Sequence, residues 1–287
     1  MTLLSKSLFA GLGLAVTLPA VAQDPIAPDA LLPGAKDPTP GIFLIDESNV
    51  IHVEPFHELR IYTANPGKLE ALNARFRDHT TALFERHGMT NVGYWTPIES
   101  DNDRLIYLLR YPDRETRDAS WKAFMADPDW QAAYKASTAE GKLVASVESI
   151  FLGTTDWSPE LDLEAEATLN GERLFEMRDY TTVKGKLPEL HRRFQKHTID
   201  LFEKHGIRNL PYFAQLGKTE EDPIDEDTLL YFVVHEDEAS RAASFKAFGA
   251  DPEWQAARDA SEANGKLLVE KGVKSTLLRA TDYSPLR

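Results

Sequence analysis

The sequence predicts an α+β fold: two tandem ferredoxin-like βαββαβ repeats packed sheet-to-sheet as an α/β barrel. Three observations lead there. Glu58-Leu59-Arg60-Ile61-Tyr62-Thr63 returns 118 positions later as Glu176-Met177-Arg178-Asp179-Tyr180-Thr181. The helix end Leu83 to Gly88 returns as Leu201 to Gly206, and Ala126-Asp127-Pro128-x-Trp130 returns as Ala250-Asp251-Pro252-x-Trp254. Each half then reads β-α-β-β-α-β, a unit whose helices cover one sheet face and leave the other open for a second sheet.

Along repeat 1, Phe56 to Thr63 is the first strand and Asn65-Pro66-Gly67 a turn. Lys68 to His87 carries Leu69, Leu72, Phe76, Leu83 and Phe84 on one helical stripe, stopped by Gly88. Strands follow at Asn91 to Pro97 and Leu105 to Leu109, with Glu99 to Asp103 as their turn. Asp113 opens a helix through Trp121 and Phe124, and Asp127-Pro128 opens another, since Asp caps and Pro suits the first helical position. Leu143 to Leu152 completes the unit. Trp121, Phe124 and Trp130 follow helical spacing and read as core. Repeat 2 follows the same plan, with extra acidic residues around Thr219 to Asp227 that read as an exposed loop.

The domain boundaries expected are a signal peptide at 1–22, a proline-rich arm and short hairpin at 23–54, repeat 1 at 55–159, an acidic linker at 160–172 and repeat 2 at 173–285. Lys6, the apolar run Leu8 to Leu18 and Ala20-Val21-Ala22 have the signal-peptide pattern, so the chain reads as exported, periplasmic or secreted. No cysteine is present, which removes disulfides and thiolate chemistry. A net charge of −14 argues against nucleic acid or an anionic membrane as partner.

Side chains alternate along a strand, so Glu58, Arg60 and Tyr62 share a face, as do Glu176, Arg178 and Tyr180. That stripe is expected to face an inter-sheet cleft, where the arginines could hold an anion and the remaining residues line the site. The same four charges could instead form a paired structural network. His79 and His197 recur mid-helix and are candidate bases, while His87 and His205 precede glycine stops, where a helix dipole suits imidazolium. No metal motif, dinucleotide or phosphate loop, or serine elbow is present, so no cofactor is expected.

The pattern Glu58-Leu59-Arg60-x-Tyr62-Thr63, then Gly67-Lys68-Leu69, Phe76, His79 and Leu83 to Gly88, resembles the opening of a NIPSNAP domain. Trp121-x-x-Phe124 and Asp127-Pro128-x-Trp130 resemble its second half, and the likeness covers about Phe56 to Pro159 and Leu174 to Pro285. Repeat 2 departs at Phe245, which replaces the tryptophan, and at Asp179, a normally apolar position. The resemblance implies a dimeric α/β-barrel fold, shared with cofactor-free monooxygenases and haem-degrading proteins. The mitochondrial members' link to trafficking and mitophagy does not carry to a chain with an export signal.

The leading expectation is therefore an exported protein binding a small anionic or aromatic ligand in its inter-sheet cleft, as a monomer with an internal pseudo-dimer or as a homodimer. An alternative is a cofactor-independent oxygenase or isomerase. Another is a protein-interaction module of the cell envelope, which a filled cleft would favour.

Overall fold

A computed structural model describes residues 41–46, 49–99, 103–167, 172–219, 222 and 224–287. The expected signal peptide, the arm up to Pro40, and parts of the hairpin, linker and β-turn segments lie outside the described residues.

Repeat 1 contributes β2 (Asn49–Ala64), β3 (Thr90–Pro97), β4 (Arg104–Tyr111) and β5 (Val144–Thr155). Repeat 2 contributes β6 (Leu174–Thr182), β7 (Arg208–Leu216), β8 (Thr228–His235) and β9 (Leu268–Ala280). Their orders, β3-β4-β2-β5 and β7-β8-β6-β9, are the antiparallel order of a split βαβ unit. Two seams join the sheets: β5 pairs β7 from Phe151↔Leu216 to Thr154↔Phe213, and β3 pairs β9 from Trp95↔Ala280 to Pro97↔Leu278. One chain thus closes an eight-stranded antiparallel barrel, which removes most sheet edges. The hairpin strand β1 (Ile42–Asp46) pairs outside the barrel with the first half of β2. The second hairpin strand and the first repeat strand are one element, β2, with a register break between His52 and His57.

The strands bury both faces. Leu59, Leu108, Trp95, Phe175, Phe232 and Leu278 fill the barrel interior. Truncating any of these large side chains to alanine is worth about 2–5 kcal/mol. The alternate positions, including Tyr62, Tyr107, Tyr180 and Tyr231, pack under the helices. The expected placement of Glu58, Arg60, Tyr62, Glu176, Arg178 and Tyr180 toward an inter-sheet cleft is therefore corrected. They face the helix layer, because their neighbours Leu59, Phe175 and Met177 take the interior.

Each first helix, expected to be continuous, is interrupted. α1 (Leu69–Arg75) and α2 (Thr81–Arg86) flank a π-helical turn at Phe76–Thr80, and α6 (Leu187–Arg193) and α7 (Ile199–Lys204) flank one at Phe194–Thr198. Thr80 and Thr198 donate their hydroxyls to carbonyls five residues back, at 3.1 and 3.2 Å, which helps to satisfy the widened turn. Gly88 and Gly206, at φ of +79° and +75°, end the helices. Beyond the β4 and β8 strands lie α3 (Arg114–Ala126) with α4 (Pro128–Ser137), and α8 (Glu238–Ala250) with α9 (Pro252–Ser261). Asp127 and Asp251 cap α4 and α9 as expected. Each also takes a hydrogen bond with the histidine at the preceding helix stop, His87 at 2.7 Å and His205 at 2.8 Å.

The repeats clasp one another reciprocally. Ser158, at the end of repeat 1, accepts the Tyr212 amide of repeat 2 at 2.8 Å, and Ser284, at the end of repeat 2, accepts the Tyr94 amide of repeat 1 at 2.8 Å. The linker is more than a tether: Leu161 and Leu163, at the start of α5 (Leu163–Ala167), pack on the barrel core, and Glu166 bridges Arg173 and Arg208. The longer β7–β8 loop is not wholly exposed either, because Ile224 is buried in the repeat 1 core.

Candidate functional site

A buried carboxylate lies beneath the helix layer in each repeat. In repeat 1, Glu58 is held by Arg60 from its own strand at 2.5 Å and by Arg117 from α3, with Nε at 2.9 Å and Nη2 at 2.8 Å. The Trp121 indole donates to it at 3.0 Å. Burial alone would raise the Glu58 pKa, but the two guanidiniums overcome it and hold the group down at about 2. Arg60 also donates to Ser149 at 2.8 Å and Tyr62 at 3.3 Å.

Repeat 2 rebuilds this arrangement with different neighbours. Arg241 from α8 grips Glu176 with Nε at 2.6 Å and Nη2 at 2.9 Å, while Arg178 pairs with it from the strand. Ser275 donates to Glu176 at 2.6 Å, and His235 replaces Tyr111 with its Nε2 3.2 Å away. Burial opposes ionisation here too, yet His235, Arg241 and Arg178 hold Glu176 well below the usual carboxylate range. Arg178 completes its fork on the Tyr231 hydroxyl at 2.9 Å and the Tyr180 hydroxyl at 2.8 Å.

The two copies differ in closure. In repeat 1 the third arm of Arg117, Nη1, is neutralised by Asp118 at 2.8 Å. Phe151 lies 4.9 Å from that guanidinium and Arg114 stacks over Phe151 and Phe56, while reaching the Gly217 and Lys218 carbonyls at 2.6 Å each. The result is a seal: the Arg117 side chain is only 8% exposed. At the matching positions repeat 2 has Ala242 for Asp118, Leu277 for Phe151, Glu238 for Arg114 and Phe245 for Trp121. No carboxylate or carbonyl among the described residues meets Arg241 Nη1, and the side chain is 27% exposed. Paired positions on neighbouring strands share a face, so Val273, Ser275 and Leu277 flank Tyr180, Arg178 and Glu176. With Phe245 and Arg241 they border the space between α8 and β9, where Val273 is 41% exposed.

The expected stripe residues are thus gathered, each triplet within its own repeat rather than opposite its counterpart. His79 is exposed and His197 half-buried on the π-turns, and neither forms a hydrogen bond among the described residues. Arg117, Arg241, Ser149, Ser275 and His235 were not anticipated. The recurrence of Arg117 as Arg241 at the same 124-residue offset as Trp130 and Trp254 was the signal that would have found the central pair. Among the described residues no three histidine or acidic side chains converge as a metal site.

The NIPSNAP family profile matches residues 57–159 and 175–285. The chain belongs to the NIPSNAP family. Among solved structures, NIPSNAP proteins from Burkholderia xenovorans and Agrobacterium tumefaciens are similar to this chain at 23% and 24% identity. Each match covers 37% of this chain and 99% or 98% of the other, with TM-scores of 0.33 and 0.34. A monooxygenase candidate from Fusobacterium nucleatum aligns at 11% identity over 79% of this chain and 92% of its own, with a TM-score of 0.48. No match was found among functionally curated proteins.

Proposed function

We propose that this protein is an exported binder of a small anionic ligand, and that the ligand sits outside the barrel, in the α8–β9 groove of the second NIPSNAP repeat. The observation that carries this reading is the third arm of Arg241, on a side chain 27% exposed and met by no acidic group among the described residues, where the same arm of Arg117 is neutralised and sealed. Glu176 fixes the plane of the guanidinium through two hydrogen bonds, so the open arm is pre-organised for a carboxylate or phosphate oxygen. Repeat 1 is then the structural copy and the chain an internal pseudo-dimer. Export rests on the N-terminal signal pattern.

The test keeps Arg241 and closes its groove. The double variant Ala242→Asp, Leu277→Phe rebuilds the repeat 1 seal. Thermal-shift titration with acetate, phenylacetate and phosphate should show saturable stabilisation of the wild type by at least one of them and none of the variant. Equal shifts in both proteins would refute the groove as the site. The filled barrel interior supports a second reading, an interaction module of the envelope, which gains if no anion stabilises the wild type.

A further inference from the structure

The sealed repeat indicates what the open one takes, because its own side chains occupy the space. Around Arg117 two chemical groups stand where repeat 2 has none: a carboxylate, Asp118, 2.8 Å from Nη1, and a benzene ring, Phe151, centred 4.9 Å from the guanidinium carbon. Repeat 2 deletes both at once, through Ala242 and Leu277, while retaining the arginine, the buried glutamate and the serine that line them. We infer that the groove takes an aromatic monocarboxylate, with its carboxylate on Arg241 Nη1 and its ring in the position that Phe151 fills in repeat 1. This rests on the reading of the groove as the ligand site.

Charge supports a single negative group. Glu176 offsets one of the two guanidiniums, Arg178 and Arg241, leaving one positive charge. His235 turns its Nε2 toward Glu176, and its buried Nδ1 meets no partner among the described residues. A dianion would leave one charge uncompensated beside a rim that carries Glu236, Asp237 and Glu238, all exposed. The ring is favoured because the groove walls are Val273, Leu277 and Phe245, and because both guanidiniums already lie over aromatic carbon, at 4.8 and 5.2 Å from the Phe245 centroid. The carboxylate and the ring meet Arg117 at separate contacts, and phenylacetate and 3-phenylpropionate are probes that carry both groups in one molecule.

Isothermal titration of the full chain separates the possibilities. Phenylacetate or 3-phenylpropionate should bind with a stoichiometry of one, about tenfold tighter than cyclohexylacetate, the margin expected for a cation–π contact. Phosphate and acetate should bind more weakly still. The variant Asp118→Ala, Phe151→Leu opens repeat 1 and should raise the stoichiometry to two; far-UV circular dichroism establishes that it is folded. The closing variant Ala242→Asp, Leu277→Phe should reduce the stoichiometry to zero and serves if the opening variant does not fold. Equal affinity for phenylacetate and cyclohexylacetate, or tighter phosphate, overturns the aromatic monocarboxylate while leaving an anion site. Failure of all these anions to bind overturns both readings.

Discussion

Arg117 and Arg241 occupy equivalent helix positions and grip equivalent buried glutamates, yet among the described residues one is locked on all three nitrogens and the other on two. On the function proposed above, that difference separates a structural half from a ligand-taking half. A buried charge must be paired, and in repeat 1 the pairing is complete within the chain. Among the described residues of repeat 2, the one carboxylate of Glu176 faces two guanidiniums, Arg178 and Arg241.

The first prediction concerns the buried carboxylates. Glu58→Gln leaves Arg60 and Arg117 buried without their counter-charge and should cost about 3–5 kcal/mol in denaturant unfolding. Glu176→Gln should cost less, because Arg241 is already partly hydrated. A larger loss at Glu176 than at Glu58 would contradict the assignment of closed and open copies.

The second concerns acid. His57 is buried at one end of the barrel against Phe213, and burial with the nearby charge of Arg110 lowers its pKa from 6.5 to about 4. The unfolded chain takes up this proton first, so the contribution is present above pH 6.5 and lost as pH falls toward 4. Unfolding free energy measured between those values should fall with pH in the wild type and flatten in His57→Asn. An unchanged slope would rule out His57 as the titrating group.

The third concerns assembly. Ser158→Ala and Ser284→Ala each leave a strand amide of the opposite repeat without its acceptor, and each should cost about 1–3 kcal/mol. The two positions sit in different clasps, so a double variant should lose the sum. Denaturation midpoints of the single and double variants check both points.

Much of this was legible in the chain. The recurrence of Glu-x-Arg-x-Tyr, the helix stops at Gly88 and Gly206, and the Asp-Pro caps place every core element of both repeats in order. What the stripe did not reveal was its direction. Alternation groups Glu58 with Arg60, but both faces of these strands are buried, so polarity alone does not say which faces the helices. The deciding feature was the apolar partner set: Leu59, Phe175 and Met177 had to meet another sheet, while Arg117 and Arg241 on the helices could meet the acids. The π-turns were not legible, because Thr80 and Thr198 fit an ordinary helical period. Closure of one groove and not the other depends on contacts across seams, such as Arg114 on the Gly217 carbonyl, which no local pattern encodes.

The most direct measurement is a crystal structure of the protein with phenylacetate. The account predicts one ligand per chain, between α8 and β9, with a carboxylate oxygen on Arg241 Nη1 and no ligand beside Arg117. A ligand in the barrel interior, equal occupancy in both repeats, or a groove that stays empty at saturating phenylacetate would contradict it.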